Sequence, residues 1–123
     1  MATIGDVMST ELVSVAPEAS VAEAATVMGG RHVGAALVLH PDGSLAGIFT
    51  ERDILRALAS DFDAAGHGVA QWMTPDPRTI QPTADIREAL DLMLEEGFRH
   101  LPVLDGTSVV GVVSIRDLSA PER

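Results

Sequence analysis

The stretch GIFTERDIL, Gly47–Leu55, closes an apolar run with a small hydroxyl residue and places a carboxylate three residues later. The stretch GVVSIRDL, Gly111–Leu118, repeats this arrangement near the other end of the chain. A hydroxyl and a carboxylate at this spacing can cap the N-terminus of a helix, because each side chain accepts a hydrogen bond from the other residue's backbone N–H. The same two groups can instead hold two hydroxyls of a ligand. In each of the two stretches, the motif can therefore be a helix cap or a binding site.

The two stretches belong to an internal duplication of the chain. Ile4–Met28 aligns with Val69–Met93 at a shift of 65 residues, and the shift falls to 64 after one deletion in the hairpin turn of the second copy. The identities kept in order are Met8/Met73, Pro17/Pro82, Glu23/Glu88, Ala24/Ala89, Met28/Met93, Gly47/Gly111, Arg52/Arg116 and Asp53/Asp117. A repeat of this kind indicates a repeated structural unit. We therefore divide the chain into a first copy, residues 1–64, and a second copy, residues 65–123.

Each copy has the pattern of a short strand, a helix, two strands and a final helix. Pro17 and Pro82 stop the first short strands, because proline cannot continue a strand ladder. Apolar residues then recur at helical period, and Asp-Gly pairs at 42–43 and 105–106 join two apolar runs as hairpins. Residues 61–68 are interpreted as a linker. The predicted fold class is α+β, with two β-α-β-β-α repeats related by a pseudo-two-fold axis.

Composition limits the classes of function. The chain has 123 residues, 46% of them hydrophobic, which fits a compact module and argues against disorder. A net charge of −10 argues against a nucleic-acid partner, because non-specific affinity for nucleic acid comes from lysine and arginine at phosphates. No apolar run reaches the roughly 18 residues of a membrane span, and the N-terminus lacks the features of a secretory signal. We therefore expect a cytoplasmic protein with no membrane partner.

Thr50 with Asp53, and Ser114 with Asp117, allow both interpretations of the repeated motif. The motif keeps a glycine, two apolar residues and an arginine at fixed positions in both copies, which is more than a cap requires. An aspartate at a helix start, beside free backbone N–H groups, can accept hydrogen bonds from the vicinal hydroxyls of a ribose. The neighbouring hydroxyl and the helix dipole suit a phosphate or ribose oxygen. The residues alone leave the cap and the ligand site open.

Together these features resemble a tandem pair of cystathionine-β-synthase-type (CBS) domains, also called a Bateman module. The resemblance covers essentially the whole chain and rests on the duplication, the lead-in segments that end in Met-Ser/Thr (Ile4–Met8 and Val69–Met73), the short strand before proline and the repeated motif. It implies binding of AMP, ADP, ATP, S-adenosylmethionine or NAD in clefts between the repeats. In that family the aspartate holds the ribose, Ser/Thr contacts ribose or phosphate, and adenine lies against the first short strand and the apolar second strand. The residues implied are Ser14, Val15, Pro17, Ala36, Thr50, Arg52 and Asp53 in the first copy, and Thr79, Ile80, Pro82, Leu101, Pro102, Ser114, Arg116 and Asp117 in the second.

Arg99 and His100, in FRHLPVLD, distinguish the two copies. They can satisfy carbonyls at a helix C-terminus, or they can meet a ligand phosphate, as basic residues do here in relatives. The first copy has Gly34 and Ala35 at these positions. The sequence therefore predicts unequal sites, with the better one around Asp117. Because the chain is acidic and has few arginines, we expect AMP or ADP to bind at least as well as ATP without Mg²⁺.

The resemblance predicts a stand-alone regulatory module, not an enzyme, that binds an adenine nucleotide reversibly and signals in trans to an unknown protein effector. The chain shows no Ser-His-Asp arrangement, no paired catalytic carboxylates and no glycine-rich phosphate loop, and its four histidines lack metal-ligand spacing. The apolar faces of the helices containing ILRALA and ALDLML predict a homodimer. The alternatives are a structural homodimerisation module with vestigial nucleotide sites, or a binder of S-adenosylmethionine or NAD.

Overall fold

A computed structural model describes residues 2–119, which form a mixed α/β structure, and the predicted α+β fold class is confirmed. The chain divides into two compact units. One unit runs from Val13 to Pro77, and the other joins the segment up to Leu12 with the chain from Arg78 onward. Each unit therefore holds the body of one sequence copy together with the lead-in segment of the other copy. The bounds 1–64 and 65–123 describe the sequence repeat, and the compact units are cut elsewhere.

The predicted order is present in the first copy, and the structure adds a short helix in the first lead-in segment and a short strand directly after the second. In chain order they are α1 (Ile4–Val7), β1 (Ser14–Val15), α2 (Val21–Arg31), β2 (Ala35–Leu39), β3 (Leu45–Thr50), α3 (Glu51–Ser60), β4 (Thr74–Pro75), α4 (Ile86–Glu96), β5 (His100–Asp105), β6 (Ser108–Ser114) and α5 (Ile115–Ser119). Short 3₁₀ helices, Phe62–Gly66 and Val69–Gln71, lie between α3 and β4. Among the helices of residues 2–119, none combines the length and hydropathy that crossing a bilayer requires.

The Val13–Pro77 unit is built on a four-stranded sheet in the order β1-β2-β3-β4. β1 pairs in parallel with β2, and the other neighbours are antiparallel. Phe49, with no exposed surface, is the largest of the side chains buried in this unit, and Val21 and Met28 pack into the same core from α2. This core fixes the relative positions of β1, the start of β2 and the start of α3.

The first strand of the second copy is reduced to a single bridge, in which Ile80 pairs in parallel with Val103 of β5. The cause is Pro102. In the first copy the N–H of Leu37, the equivalent residue, donates to the Val13 carbonyl at 2.9 Å. Proline has no N–H, so this ladder bond cannot form in the second copy. The sequence predicted an extended piece at 79–80, and the structure keeps only the bridge.

The lead-in segments explain why a glycine recurs in each copy of the motif. A Cβ on Gly111 would lie 2.6 Å from the Met8 sulfur, and a Cβ on Gly47 would lie 2.7 Å from the Met73 sulfur. The backbone carbonyls of the residues that follow these methionines would lie 2.8 and 2.6 Å away. Contacts this short exclude any side chain, so each glycine is needed for the close approach of a lead-in segment.

Both predicted hairpin turns form, with Gly43 at φ +88° and Gly106 at φ +64°, in the left-handed region that favours glycine. In the first turn Ser44 donates its hydroxyl and its backbone N–H to Asp42 Oδ1, at 2.6 and 2.9 Å. These two bonds hold the pKa of Asp42 below its ordinary value. The turn residues thus fix the register of the β2–β3 hairpin.

Residues 61–68 are structured, which differs from the predicted linker. Phe62–Gly66 forms a 3₁₀ helix, and Ala64 is fully buried in the core of the Val13–Pro77 unit. The carbonyl of His67 accepts the N–H of Val21 at 2.8 Å and so ties the segment to the start of α2. Because the composition of the segment is polar, the sequence did not indicate that Ala64 is buried.

Candidate functional site

The first copy of the repeated motif is a helix cap in the structure. Thr50 ends β3, and its backbone N–H donates to Asp53 Oδ2 at 2.9 Å, while the Asp53 N–H donates to Thr50 Oγ1 at 3.3 Å. The Thr50 hydroxyl also donates to Asp53 Oδ2, at 3.1 Å. Asp53 is only 5% exposed. The reciprocal bonds satisfy two N–H groups at the start of α3 that would otherwise lack partners.

The second copy forms the same cap with a more accessible carboxylate. The Ser114 N–H donates to Asp117 Oδ2 at 2.8 Å, and the Asp117 N–H donates to Ser114 Oγ at 3.1 Å. Asp117 is half-buried. The motif is therefore a cap in both copies, and what separates the copies is how much of each carboxylate remains available.

The two carboxylates differ in their remaining oxygen. Arg56 Nη1 donates to Asp53 Oδ1 at 2.7 Å, so both oxygens of Asp53 are bonded within the Val13–Pro77 unit. Across residues 2–119, the Asp117 carboxylate accepts one hydrogen bond, from the Ser114 N–H, and this bond uses Oδ2. Among the described residues Asp117 Oδ1 has no hydrogen-bond donor, and it is the oxygen with acceptor capacity for a ligand hydroxyl.

Basic residues of the second copy lie beside its motif. The Arg99 carbonyl accepts the N–H of Ile115, the first residue of α5, at 2.9 Å. His100 pairs with Ser114 in the β5–β6 register, and the exposed Arg116 follows in the first turn of α5. Backbone pairing therefore places Arg99, His100 and Arg116 next to the residues that cap α5, and their contact with a phosphate stays a prediction.

The first copy has a carboxylate where the second has its basic residues. Gly34 occupies the position of Arg99, and its carbonyl accepts the N–H of Glu51 at 3.0 Å. A Cβ on Gly34 would lie 3.4 Å from the Glu51 carboxyl group. Sequence reasoning did not single out Glu51, although its counterpart in the repeat is the uncharged Ile115. Arg52, the counterpart of Arg116, is the exposed cation that remains at the start of α3.

The residues predicted to face adenine divide into exposed and buried sets. Ser14 and Thr79 are exposed and Val15 is half-buried. The buried set, which lies in the cores of the two units or against them, is Ala36, Ile80, Leu101 and Pro102. Ile80 lines a surface pocket, whereas contact of adenine with the buried side chains of Ala36, Leu101 and Pro102 requires local opening. Their role in binding stays a prediction.

Pro17 and Pro82 are half-buried in the turns that precede α2 and α4. The Pro82 carbonyl accepts the N–H of Gly5 at 2.8 Å, so this residue helps to hold α1. Among the described residues, no hydrogen bond or ion pair joins either proline to the capping motif of its own copy. The two prolines therefore shape the backbone of these turns. Their direct contact with a ligand stays a prediction.

The unit that contains the chain from Arg78 onward has a concave pocket of about 430 Å³. Of the predicted site residues, Thr79 and Ile80 line this pocket. It extends to Leu104 and Gly106 at the hairpin turn and does not include Ser114 or Asp117. The pocket is therefore not the site that the motif predicts. Within residues 2–119, no group of histidine and carboxylate side chains is placed to hold a metal ion.

Comparison with known proteins agrees with this arrangement. The sequence model of the CBS domain family matches residues 4–60 and 69–120. An uncharacterized 17.7 kDa protein of Acidianus ambivalens is 37% identical over 122 residues, which cover 97% of this chain and 73% of that protein. The crystal structure of the CBS-domain containing protein ATU1752 from Agrobacterium tumefaciens matches with a TM-score of 0.89 and 32% identity, over 96% of this chain and 92% of that chain. The crystal structure of CBSX2 in complex with AMP matches with a TM-score of 0.84 and 26% identity, over 96% and 93% of the two chains. Because the family matches both copies of the repeat and most of the chain, this protein belongs to the CBS domain family and carries two CBS domains in tandem.

Proposed function

We propose that this chain is a regulatory module that binds an adenosine nucleotide, AMP or ADP at least as well as ATP, at the motif of its second copy. The observation that carries the proposal is the half-buried Asp117 carboxylate, with Oδ1 available, beside Arg99, His100 and Arg116. The likeness to CBSX2, which was crystallised with AMP, supports an adenosine ligand.

The proposed binding chemistry uses each group for what it can do. Asp117 Oδ1 accepts hydrogen bonds from the ribose hydroxyls, and such bonds to a charged acceptor contribute roughly 1.5–3 kcal/mol each. Ser114 Oγ already accepts the Asp117 N–H, so its own O–H is the group that can donate to a ribose or phosphate oxygen. Arg99 and Arg116 offset the phosphate charge on a chain of net charge −10. A monophosphate carries the least negative charge for these few cations to offset.

The output of such a module is a change in how it engages an effector. The ligand is bound reversibly and is not a catalytic cofactor, so the proposed signal acts in trans on a protein effector. A ligand shifts a conformational equilibrium only through a difference in its affinity for the two states. The buried side chains of Leu101 and Pro102, which would have to open for contact with adenine, are the part of the second copy whose state would differ.

Thermal shift and calorimetry with AMP, ATP, S-adenosylmethionine and NAD test the proposal. A ligand that binds only the folded state raises the melting temperature, so AMP is expected to stabilise the protein. The matched control ligand is 2′-deoxy-AMP, which lacks one hydroxyl of the diol and is expected to bind about tenfold or more weakly. Equal binding of AMP and 2′-deoxy-AMP would remove the role of the diol. Absence of binding by all four ligands would overturn the proposal, and preference for S-adenosylmethionine or NAD would change the ligand.

A second candidate function, homodimerisation, is favoured by exposed apolar side chains on the helices. In the Val13–Pro77 unit Leu55 is 70% exposed and Phe62, just after α3, is 98% exposed. In the other unit Leu94 on α4 is 67% exposed. Large exposed apolar side chains mark interaction surfaces when they occur together on one helix face. We propose that these helices pair two copies of the chain, and a dimer that binds no nucleotide would identify a structural module with vestigial sites.

A further inference from the structure

Arg56 is held against the first-copy aspartate from two sides. Its Nη1 donates to Asp53 Oδ1 at 2.7 Å, and its guanidinium carbon lies 5.8 Å from the centroid of the Trp72 ring, within cation–π range. Trp72 itself packs against the core of the Val13–Pro77 unit and stacks with the His67 ring at 6.5 Å. The guanidinium, whose side chain is 56% exposed, thus bonds the carboxylate and lies near a ring that the core positions.

The acceptor capacity of Asp53 is nearly used up by these internal partners. An ionised carboxylate offers about four lone-pair positions. Asp53 Oδ2 accepts from the N–H and the hydroxyl of Thr50, and Oδ1 accepts from Arg56. About one position remains, whereas a ribose diol that donates both hydroxyls needs two. In the second copy, by contrast, Asp117 accepts only the Ser114 N–H within the described residues.

The sequence of the second copy repeats neither Arg56 nor Trp72. The repeat places Ala120, which lies outside the described residues, at the position of Arg56. It places Val7 at the position of Trp72. An alanine side chain has no hydrogen-bond donor, and a valine side chain has no ring to hold a cation. The two copies thus differ at two positions outside the ligand motif, those of Arg56 and Trp72, and these positions decide whether the aspartate has an internal cationic partner.

We propose that Arg56 and Trp72 form a clamp that keeps the first-copy aspartate from binding ribose, so that the chain takes one nucleotide, at the second copy. This inference rests on the proposed nucleotide function and specifies which copy performs it. Glu51, whose carboxyl group lies against Gly34, acts in the same direction by disfavouring a phosphate. Arg56 is a positioning residue here, because it acts on the ligand only through Asp53.

The test isolates the first-copy site by removing the second. Calorimetry with AMP compares Asp117→Ala with the double variant Asp117→Ala/Arg56→Met. Methionine retains a flexible chain that can pack on Trp72 but has no donor for Asp53. We expect the double variant to bind AMP at least about tenfold more tightly than Asp117→Ala, because loss of the Arg56 donor frees one more acceptor position on Asp53 Oδ1 and gives a ribose diol the two that it needs. Arg56→Ala, measured in the same background, provides a second variant if the methionine variant melts below the assay temperature.

Two controls identify the cause of a gain in affinity. Arg87→Met in the Asp117→Ala background removes the same charge from an exposed position on α4, where Arg87 lies 3.8 Å from Asp91, and is expected to leave AMP binding unchanged. Adding Asp53→Ala to the Asp117→Ala/Arg56→Met variant is expected to abolish the gain. Loss of the gain on this addition ties the recovered affinity to the Asp53 carboxylate.

The possible results separate the clamp from the proposed function. If the unmodified chain binds AMP but Arg56→Met gives no gain in the Asp117→Ala background, the clamp is wrong and the second-copy site stands. If Arg56→Met weakens AMP binding there, Arg56 is a ligand contact, which also overturns the clamp. If the unmodified chain binds none of the adenosine ligands, the proposed function fails and the clamp fails with it.

Discussion

Replacing each motif aspartate by alanine is the most direct test of cap against ligand site, because the two variants change the charge equally. In Asp117→Ala the cap bond from the Ser114 N–H, 2.8 Å long, is lost, while the Asp117 N–H still donates to Ser114 Oγ. Loss of such a cap costs about 0.5–2 kcal/mol of folding free energy. If Asp117 also holds the ribose, AMP binding weakens by roughly 1.5–3 kcal/mol for each bond lost, about ten- to 150-fold.

Asp53→Ala is expected to show the opposite balance. Its carboxylate is 5% exposed and accepts two bonds from Thr50 and one from Arg56. At about 0.5–1.5 kcal/mol for each bond, the folding free energy falls by about 1.5–4.5 kcal/mol, more than for Asp117→Ala. The affinity of the first AMP bound should change little, because the clamped carboxylate does not contact it.

Calorimetry with AMP and thermal melting of both variants separate the two interpretations. If Asp117→Ala melted lower but bound AMP as tightly as the parent, the motif would be a helix cap and no more. If Asp53→Ala lost the tight site instead, the assignment of that site to the second copy would be refuted, although nucleotide binding would survive. Equal melting temperatures for the two variants would contradict the count of internal bonds.

Three further predictions concern assembly, ligand charge and the lead-in contacts. Light scattering at micromolar concentration is expected to give about twice the chain mass of 12.9 kDa, and a monomer mass would refute the helix-mediated dimer. Calorimetry is expected to show AMP or ADP binding at least as tightly as ATP without Mg²⁺, because each added phosphate charge meets the same few arginines, and an ATP affinity tenfold above that of AMP would contradict this. Gly111→Ala is expected to destabilise the fold by about 1–3 kcal/mol or more, because its Cβ would meet the Met8 sulfur at 2.6 Å. Gly66→Ala, with no atom near its Cβ, is the matched control, and equal melting temperatures would disprove the contact.

The fold could be read from the sequence because the duplication doubled every local signal. Helical periodicity, turn glycines and strand-ending prolines occur twice, and each pair supports the other. What the repeat could not show is which copy a lead-in segment packs against. Gly47 and Gly111 are identical residues, and so are Met8 and Met73, so a swapped and an unswapped arrangement give the same alignment. Only the three-dimensional contacts reveal the exchange.

The candidate site could be predicted as a set of positions but not as a set of available atoms. The motif, the basic pair at Arg99 and His100, and their absence from the first copy are visible in the sequence. Arg56 was also visible, three residues after Asp53, at a spacing that brings side chains together on a helix. Its significance depends on which carboxylate oxygen it bonds and on Trp72, which is sixteen residues away. Sequence spacing specifies neither.

Cap and ligand site are compatible at Asp117 because they use different oxygens. The cap occupies Oδ2 through the Ser114 N–H, and a ribose that bonds Oδ1 leaves this bond in place. A bond that is the same with and without ligand contributes no difference between the two states, so it cannot drive a conformational signal. The difference must come from contacts that the unliganded protein does not offer. Leu101 and Pro102, buried in the structure and predicted to face adenine, are the contacts that we propose for this role. We therefore propose that Asp117 and the basic residues supply the affinity for the nucleotide, and that local opening around Leu101 and Pro102 in β5 supplies the signal.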